Sequence, residues 1–191
     1  APAKRRECTA DLSVAASIPD RYVPSPEQRM DLYRRIARIR TSEDADDMTD
    51  ELIDRFGDPP RTVNNLISVA LLRGRAADCA ISDISQKGMS ILFTLDEFDL
   101  EHISQAAGLF PGRVLFSPGD KAVLTLKLKK GEDPLRMASK LVESYQALIP
   151  PEAAKSPGPE GGAARTDALD RFKGCVLGWS KGQDSCQSDE N

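Results

Sequence analysis

Seven carboxylates fall within twelve positions of this chain: Glu43, Asp44, Asp46, Asp47, Asp50, Glu51 and Asp54, with no base among them. Just upstream, Arg29, Arg34, Arg35, Arg38 and Arg40 stand against a single acid, Asp31. Carboxylates can serve as general acids and bases, but that work needs burial or a close partner to shift a pKa. These acids fall on a helix face of solvated character, so the chemistry left to them is charge. At 100° per residue, Asp47, Asp50, Glu51 and Asp54 share one side of a helix, and Met48, Leu52, Ile53 and Phe56 are expected on the other. Two readings follow. In the first, the acidic and basic helices pack antiparallel and neutralise each other, through exposed pairs worth only ~0–1 kcal/mol each. In the second, the acids form a partner-docking surface whose mutual repulsion a basic neighbour relieves.

Other chemistry is thinly represented. The single histidine, His102, has no Cys or His at ligand spacing and reads as a surface residue. An enzyme site assembled from Asp96, Glu97, Asp99, Glu101 and His102 is an alternative without a motif behind it. There is no Gly-rich phosphate loop ending in Lys-Ser/Thr and no Gly-x-Ser-x-Gly elbow. Cys8, Cys79, Cys175 and Cys186 form no CxxC pair, which signals neither zinc nor a disulfide framework. The chain is therefore read as non-enzymatic, with no catalytic residue, cofactor or metal. A further alternative is a nucleic-acid-binding accessory module using Arg34, Arg35, Arg38 and Arg40 with Lys127, Lys129 and Lys130. The net charge of −4 and pI near 5.2 weigh against it, because phosphate neutralisation supplies most of such binding.

The elements that must position these residues are legible in the punctuation. Thr9–Ile18 alternates like a strand, and Pro19, Pro24 and Pro26 force an extended connection. Ser25-Pro26-Glu27-Gln28 starts a first helix, with Ser25 as cap, Pro26 in the first turn and Gln28 able to complete a capping box; its stripe runs from Met30 to Arg40. The acidic helix spans about Ser42 to Phe56 and is closed by Gly57. Asp58-Pro59-Pro60 breaks the chain, and a third, deeply buried helix runs roughly from Arg61 to Asp78. Beyond Cys79 the period changes: strands at 81–85 and 89–95, a helix at 99–109, strands at 113–116 and 122–129, and a last helix opened by Asp133-Pro134 and ended by Pro150-Pro151. A helical front followed by two β-hairpins interleaved with helices is an α+β pattern.

Composition sets the frame. A hydrophobic fraction of 40% allows a core, and an aromatic fraction of 5% makes it an aliphatic one. No apolar run reaches the ~20 residues of a membrane-spanning helix, and no secretory signal opens the chain, so a cytoplasmic protein is expected. Residues 1–10 read as a linker remnant, 11–149 as the domain and 150–191, rich in Gly and Pro, as a disordered divergent tail. Within it Phe172, Val176, Leu177 and Trp179 are an apolar exception that could serve as a docking motif. The first residue is Ala rather than Met, as expected of a fragment or processed chain.

Two stretches are recognisable. Ile18-Pro19-Asp20-Arg21-Tyr22-Val23-Pro24-Ser25-Pro26-Glu27-Gln28-Arg29, continuing to Ala37, closely resembles the opening of the C-terminal domain of the bacterial transcription-repair coupling factors, the Mfd family. Asp50-Glu51-Leu52-Ile53-Asp54-Arg55-Phe56-Gly57-Asp58-Pro59-Pro60 resembles that domain's second motif, and the likeness spans about Asp11 to Leu148. The resemblance implies a TRCF C-terminal domain fold in a parent that is an ATP-driven duplex-DNA translocase, removing stalled RNA polymerase and recruiting UvrA for excision repair. It implies that this domain packs intramolecularly on a UvrB-like module, hides the UvrA-binding surface and restrains the motor. DNA is then reached only through the motor, which is not in this chain. By the same resemblance Glu51 and Asp54, three apart on one helix side, are the docking acids, with Asp47 and Asp50 beside them. Leu52, Ile53 and Phe56 are assigned to the core.

Overall fold

The computed structural model describes residues 6–149. In chain order they form β1 (Thr9–Asp11), α1 (Pro26–Ile36), α2 (Ser42–Phe56), α3 (Arg61–Asp78), β2 (Ile81–Lys87), β3 (Ser90–Leu95), α4 (Leu100–Gly108), β4 (Val114–Ser117), β5 (Ala122–Lys127) and α5 (Pro134–Leu148). This is the expected α+β architecture. The apolar tail segment around Trp179 and the expected tail as a whole lie outside the described residues.

Local signals account for the helix ends. Ser25 accepts from the Gln28 amide at 3.4 Å, and Pro26 occupies the first turn of α1. The full capping box sits on α2 instead. Thr41 Oγ1 accepts from the Asp44 amide at 3.1 Å, and Asp44 accepts from the Thr41 amide at 2.9 Å. Gly57 ends α2 at φ 80, a backbone region that costs glycine little. Two expectations change. α1 stops at Ile36, where the Arg38 and Ile39 amides turn back to the Arg35 and Ile36 carbonyls at 3.0 and 3.1 Å, so the stripe to Arg40 is not one helix. The first strand ends at Asp11 rather than Ile18, because it pairs only along the short edge Thr9–Asp11 against Asp83–Ser85.

The sheet has the order β1-β2-β3-β5-β4, with β1 parallel to β2 and every other pair antiparallel. Period-2 alternation directs Ile84, Ile91, Phe93, Leu124 and Leu126 to one face. There they join Ile103 of α4 and Leu141 and Val142 of α5 in one buried cluster. A second cluster is helical: Leu32, Ile36, Met48, Leu52, Val63 and Ile67, with Ile18 and Val23 of the proline-rich segment. α3 supplies Val63, Ile67 and Ala70 to the helical cluster, and Leu72, Ala76 and Ala77 to the sheet cluster. It is the spine that sets the acidic helix beside the sheet.

Candidate functional site: the acidic face of α2

The floor of α2 is Ala45, Met48 and Leu52, all buried, with Leu52 at 0% exposure. Opposite them Asp47, Asp50 and Asp54 are exposed at i, i+3 and i+7, the spacing of one helix side. Among the described residues none of the three takes part in an ion pair.

Glu51 is different. Arg35 of α1 grips its carboxylate with both guanidinium nitrogens, Nη1 donating to Oε1 at 2.6 Å and Nη2 to Oε2. Arg55, one turn on, donates to Oε1 at 2.9 Å. The Arg35 hydrogen bond, then that of Arg55, holds the Glu51 carboxyl down at about 2, against a slight opposing effect of burial. Arg35 is correspondingly raised, chiefly by the same bond. The antiparallel neutralisation foreseen for the two helices is thus realised at one acid. Arg55 also lies over the Phe56 ring, 5.1 Å from its centroid, which fixes the guanidinium on two sides.

Ile53 does not belong to the core: it is 44% exposed. Its helical angle lies about 100° from the direction shared by Met48, Leu52 and Phe56, which carries it to the rim beside Asp50. The ridge is therefore an apolar spot flanked by unpaired acids. Only one of the four acids singled out, Glu51, is used internally.

The two recognisable motifs meet here. Tyr22 Oη donates to the Gly57 carbonyl at 2.7 Å and reaches the Leu52 carbonyl at 3.3 Å, and its ring lies 5.9 Å from that of Phe56. The Ile18 amide donates to Tyr33 Oη at 2.8 Å, and Arg29 Nη1 donates to the Val23 and Pro24 carbonyls at 2.8 and 3.1 Å. The proline-rich segment is thus a strap that anchors the C-terminal end of α2.

The alternative site residues are dispersed among structural tasks. Asp96 accepts from Ser82 Oγ at 2.9 Å, Glu97 pairs with Arg6 at 2.7 Å, and Asp99 caps α4 through the Glu101 amide at 2.7 Å. His102 stands edge-on to Tyr145 at 6.4 Å. Burial pushes the Cys8 and Cys79 thiols, both free, up to about 12. Among the described residues no group of His, Cys, Asp and Glu could hold a metal ion, and no helix is long and apolar enough to cross a membrane.

A helical hairpin strapped beside a five-stranded sheet is the fold of a known class of domain. The crystal structure of the C-terminal domain of a transcription-repair coupling factor superposes with a TM-score of 0.66, covering 75% of this chain and 95% of that one at 19% identity. At that identity the likeness shows the fold. The family follows from sequence: the TRCF domain model matches residues 12–105, and that part of the chain is a TRCF domain. The transcription-repair-coupling factor of Bacillus subtilis is 30% identical over 115 residues, 60% of this chain and 9% of that protein. That of Staphylococcus haemolyticus is 28% identical over 142 residues, 74% of this chain and 11% of that protein. The chain thus spans about a tenth of the length of these relatives.

Proposed function

We propose that this chain is a regulatory, non-enzymatic docking domain of a bacterial transcription-repair coupling factor, working in the cytoplasm without a cofactor of its own. On this reading the acidic ridge of α2 covers a basic surface of the parent's UvrB-like module, withholds the UvrA-binding surface and restrains the motor until RNA polymerase is engaged. One observation carries it: Asp47, Asp50 and Asp54 are exposed without an internal cation, although five arginines lie just upstream on the chain. Internal neutralisation was available and reaches only Glu51 among these four. Three adjacent unpaired acids repel one another, and an external basic surface relieves that cost. Exposure on a rigid, capped helix also suits a clamp that must release when a partner favours the open state.

Asp50 and Asp54 carry the clean test, because reversing Glu51 would also strip Arg35 and Arg55 of their partner. Asp50→Lys/Asp54→Lys is expected to weaken binding of the chain to an isolated UvrB-like module about tenfold or more, each interfacial pair contributing ~1–3 kcal/mol. In the full-length parent the same pair should raise UvrA capture. Unaltered module affinity together with unaltered UvrA capture would remove the ridge from the clamp.

A further inference from the structure

All three helices that meet the sheet lie on one face, where Ile84, Ile91, Phe93, Leu124 and Leu126 are buried against α3, α4 and α5. The opposite face is only partly covered. Register sets Lys87, Ser90 and Lys127 side by side on it, and the next row is Asp11, at the far edge, then Ser85, Leu92, Thr125 and Leu115. The Leu128 amide donates to the Met89 carbonyl at 2.7 Å, which draws Lys129 and Lys130 alongside the β2–β3 turn. Four lysines from two stretches of chain, Lys87 and the run 127–130, thus converge at one end of the sheet, and all four are exposed.

None of the four is held in an ion pair, although Lys129 lies close enough to Glu132 to help lower its pKa. Every ion pair among the described residues uses an arginine and none uses a lysine. Glu132, two residues past Lys130, is held by Arg113 and by the Lys129 amide at 2.8 Å. We infer that this end of the sheet, carrying Lys87, Lys127, Lys129 and Lys130 around Ser90, is a contact surface for the phosphate backbone of duplex DNA.

The side chains on hand select that ligand. Lysines with the hydroxyls of Ser85, Ser90 and Thr125 are donors of the kind that meet phosphate oxygens. Neither outer row carries an aromatic ring, so there is no platform for stacking unpaired bases, which disfavours a single strand. Three of the four, Lys127, Lys129 and Lys130, belong to the nucleic-acid-binding alternative read from sequence; Lys87 joins them in place of its arginines, of which Arg35 is bound to Glu51 and Arg40 has its backbone packed against Gly74. It is also separate from the acidic ridge, so the inference does not rest on the docking reading.

The test uses the whole chain and fluorescence anisotropy of a short labelled duplex, its unpaired strand and polyglutamate as competitor, over a series of salt concentrations. Weak duplex binding is expected, with log K falling against log salt at a slope of about −3 to −4, as roughly four phosphate contacts require. Lys127→Glu/Lys129→Glu should lower duplex affinity about tenfold at low salt and flatten the slope by about 2. Arg34→Glu on α1 with Arg38→Glu just past its end, both equally exposed, should leave both unchanged, and circular dichroism should show all variants folded. The inference fails if the duplex shows no salt-dependent binding, or if the arginine variant loses as much as the sheet variant. Tighter binding of the unpaired strand would also overturn it. So would displacement of the duplex by less polyglutamate than competing duplex, which would assign the surface to an acidic protein.

Discussion

Glu51 is a carboxylate with two arginines on it, and its chemistry is defined by that. With its folded-state pKa depressed from 4.5 to about 2, it contributes stability that is fully present above pH ~4.5 and is lost as pH falls toward 2. The pair is partly exposed, with side-chain exposures of 37% for Arg35 and 31% for Glu51, so solvent screening limits its worth. Glu51→Gln should therefore cost about 0.5–1 kcal/mol at neutral pH in urea unfolding. The gap between wild type and variant should close between pH 4.5 and 2, and a gap independent of pH would show that the arginines are not what holds this carboxyl. The neighbouring aspartates have no comparable partner, so one helix face carries both a spent acid and available ones. Sequence spacing could not separate them. Arg35 reaches Glu51 across a turn, and that contact depends on how α1 is laid down, not on the helical period of α2.

At the scale of elements, Gly74 shows how α1, α2 and α3 are brought together. A Cβ there would lie 2.6 Å from the Arg40 Cα, a backbone atom that cannot swing aside. Glycine in mid-helix ordinarily costs roughly 1 kcal/mol relative to alanine. Its place in α3 is explained by the turn between α1 and α2, which crosses at that point. Gly74→Ala is thus expected to destabilise by about 1–3 kcal/mol despite its better helix propensity, measured by equilibrium denaturation. A stabilised variant would mean that the crossing is looser than described. The glycine was a visible signal in the sequence, an unfavourable residue inside a strong apolar stripe, but its reason lies in a segment more than thirty residues earlier. α2 was the more legible element, because its apolar floor and Gly57 are local; its capping box is local too, but was expected on α1. Ile53 was misplaced for a related reason. It was grouped with the apolar residues by type, although its angle puts it at the rim, where it is 44% exposed.

For the whole molecule, the spine role of α3 has a thermodynamic consequence. Because one helix contributes side chains to both buried clusters, neither cluster can come apart without exposing the other. Leu52→Ala, in the helical cluster, should cost about 2–4 kcal/mol. Hydrogen exchange should then register that loss both in the amides of α2 and in those of β3, which Leu52 does not touch. If β3 kept its full protection, the helical front and the sheet would be separate folding units. The same architecture leaves two surfaces of opposite sign on different elements, the acidic ridge of α2 and the lysine-bearing end of the sheet.

The division between sequence and tertiary structure follows the range of the interactions. The bounds of α2 and α3, the two hairpins and the family resemblance of residues 18–29 and 50–60 were determined by the sequence alone, since caps, prolines and alternation act over a few residues. The strand order β1-β2-β3-β5-β4, the parallel edge strand and the gathering of Lys87 with Lys127, Lys129 and Lys130 were decided only by the tertiary structure. So was the commitment of Glu51 to Arg35 while Asp50 and Asp54 stay unpaired. Each of these depends on which distant segments pack together, and that is set by burial of apolar surface across the whole chain rather than by spacing along it.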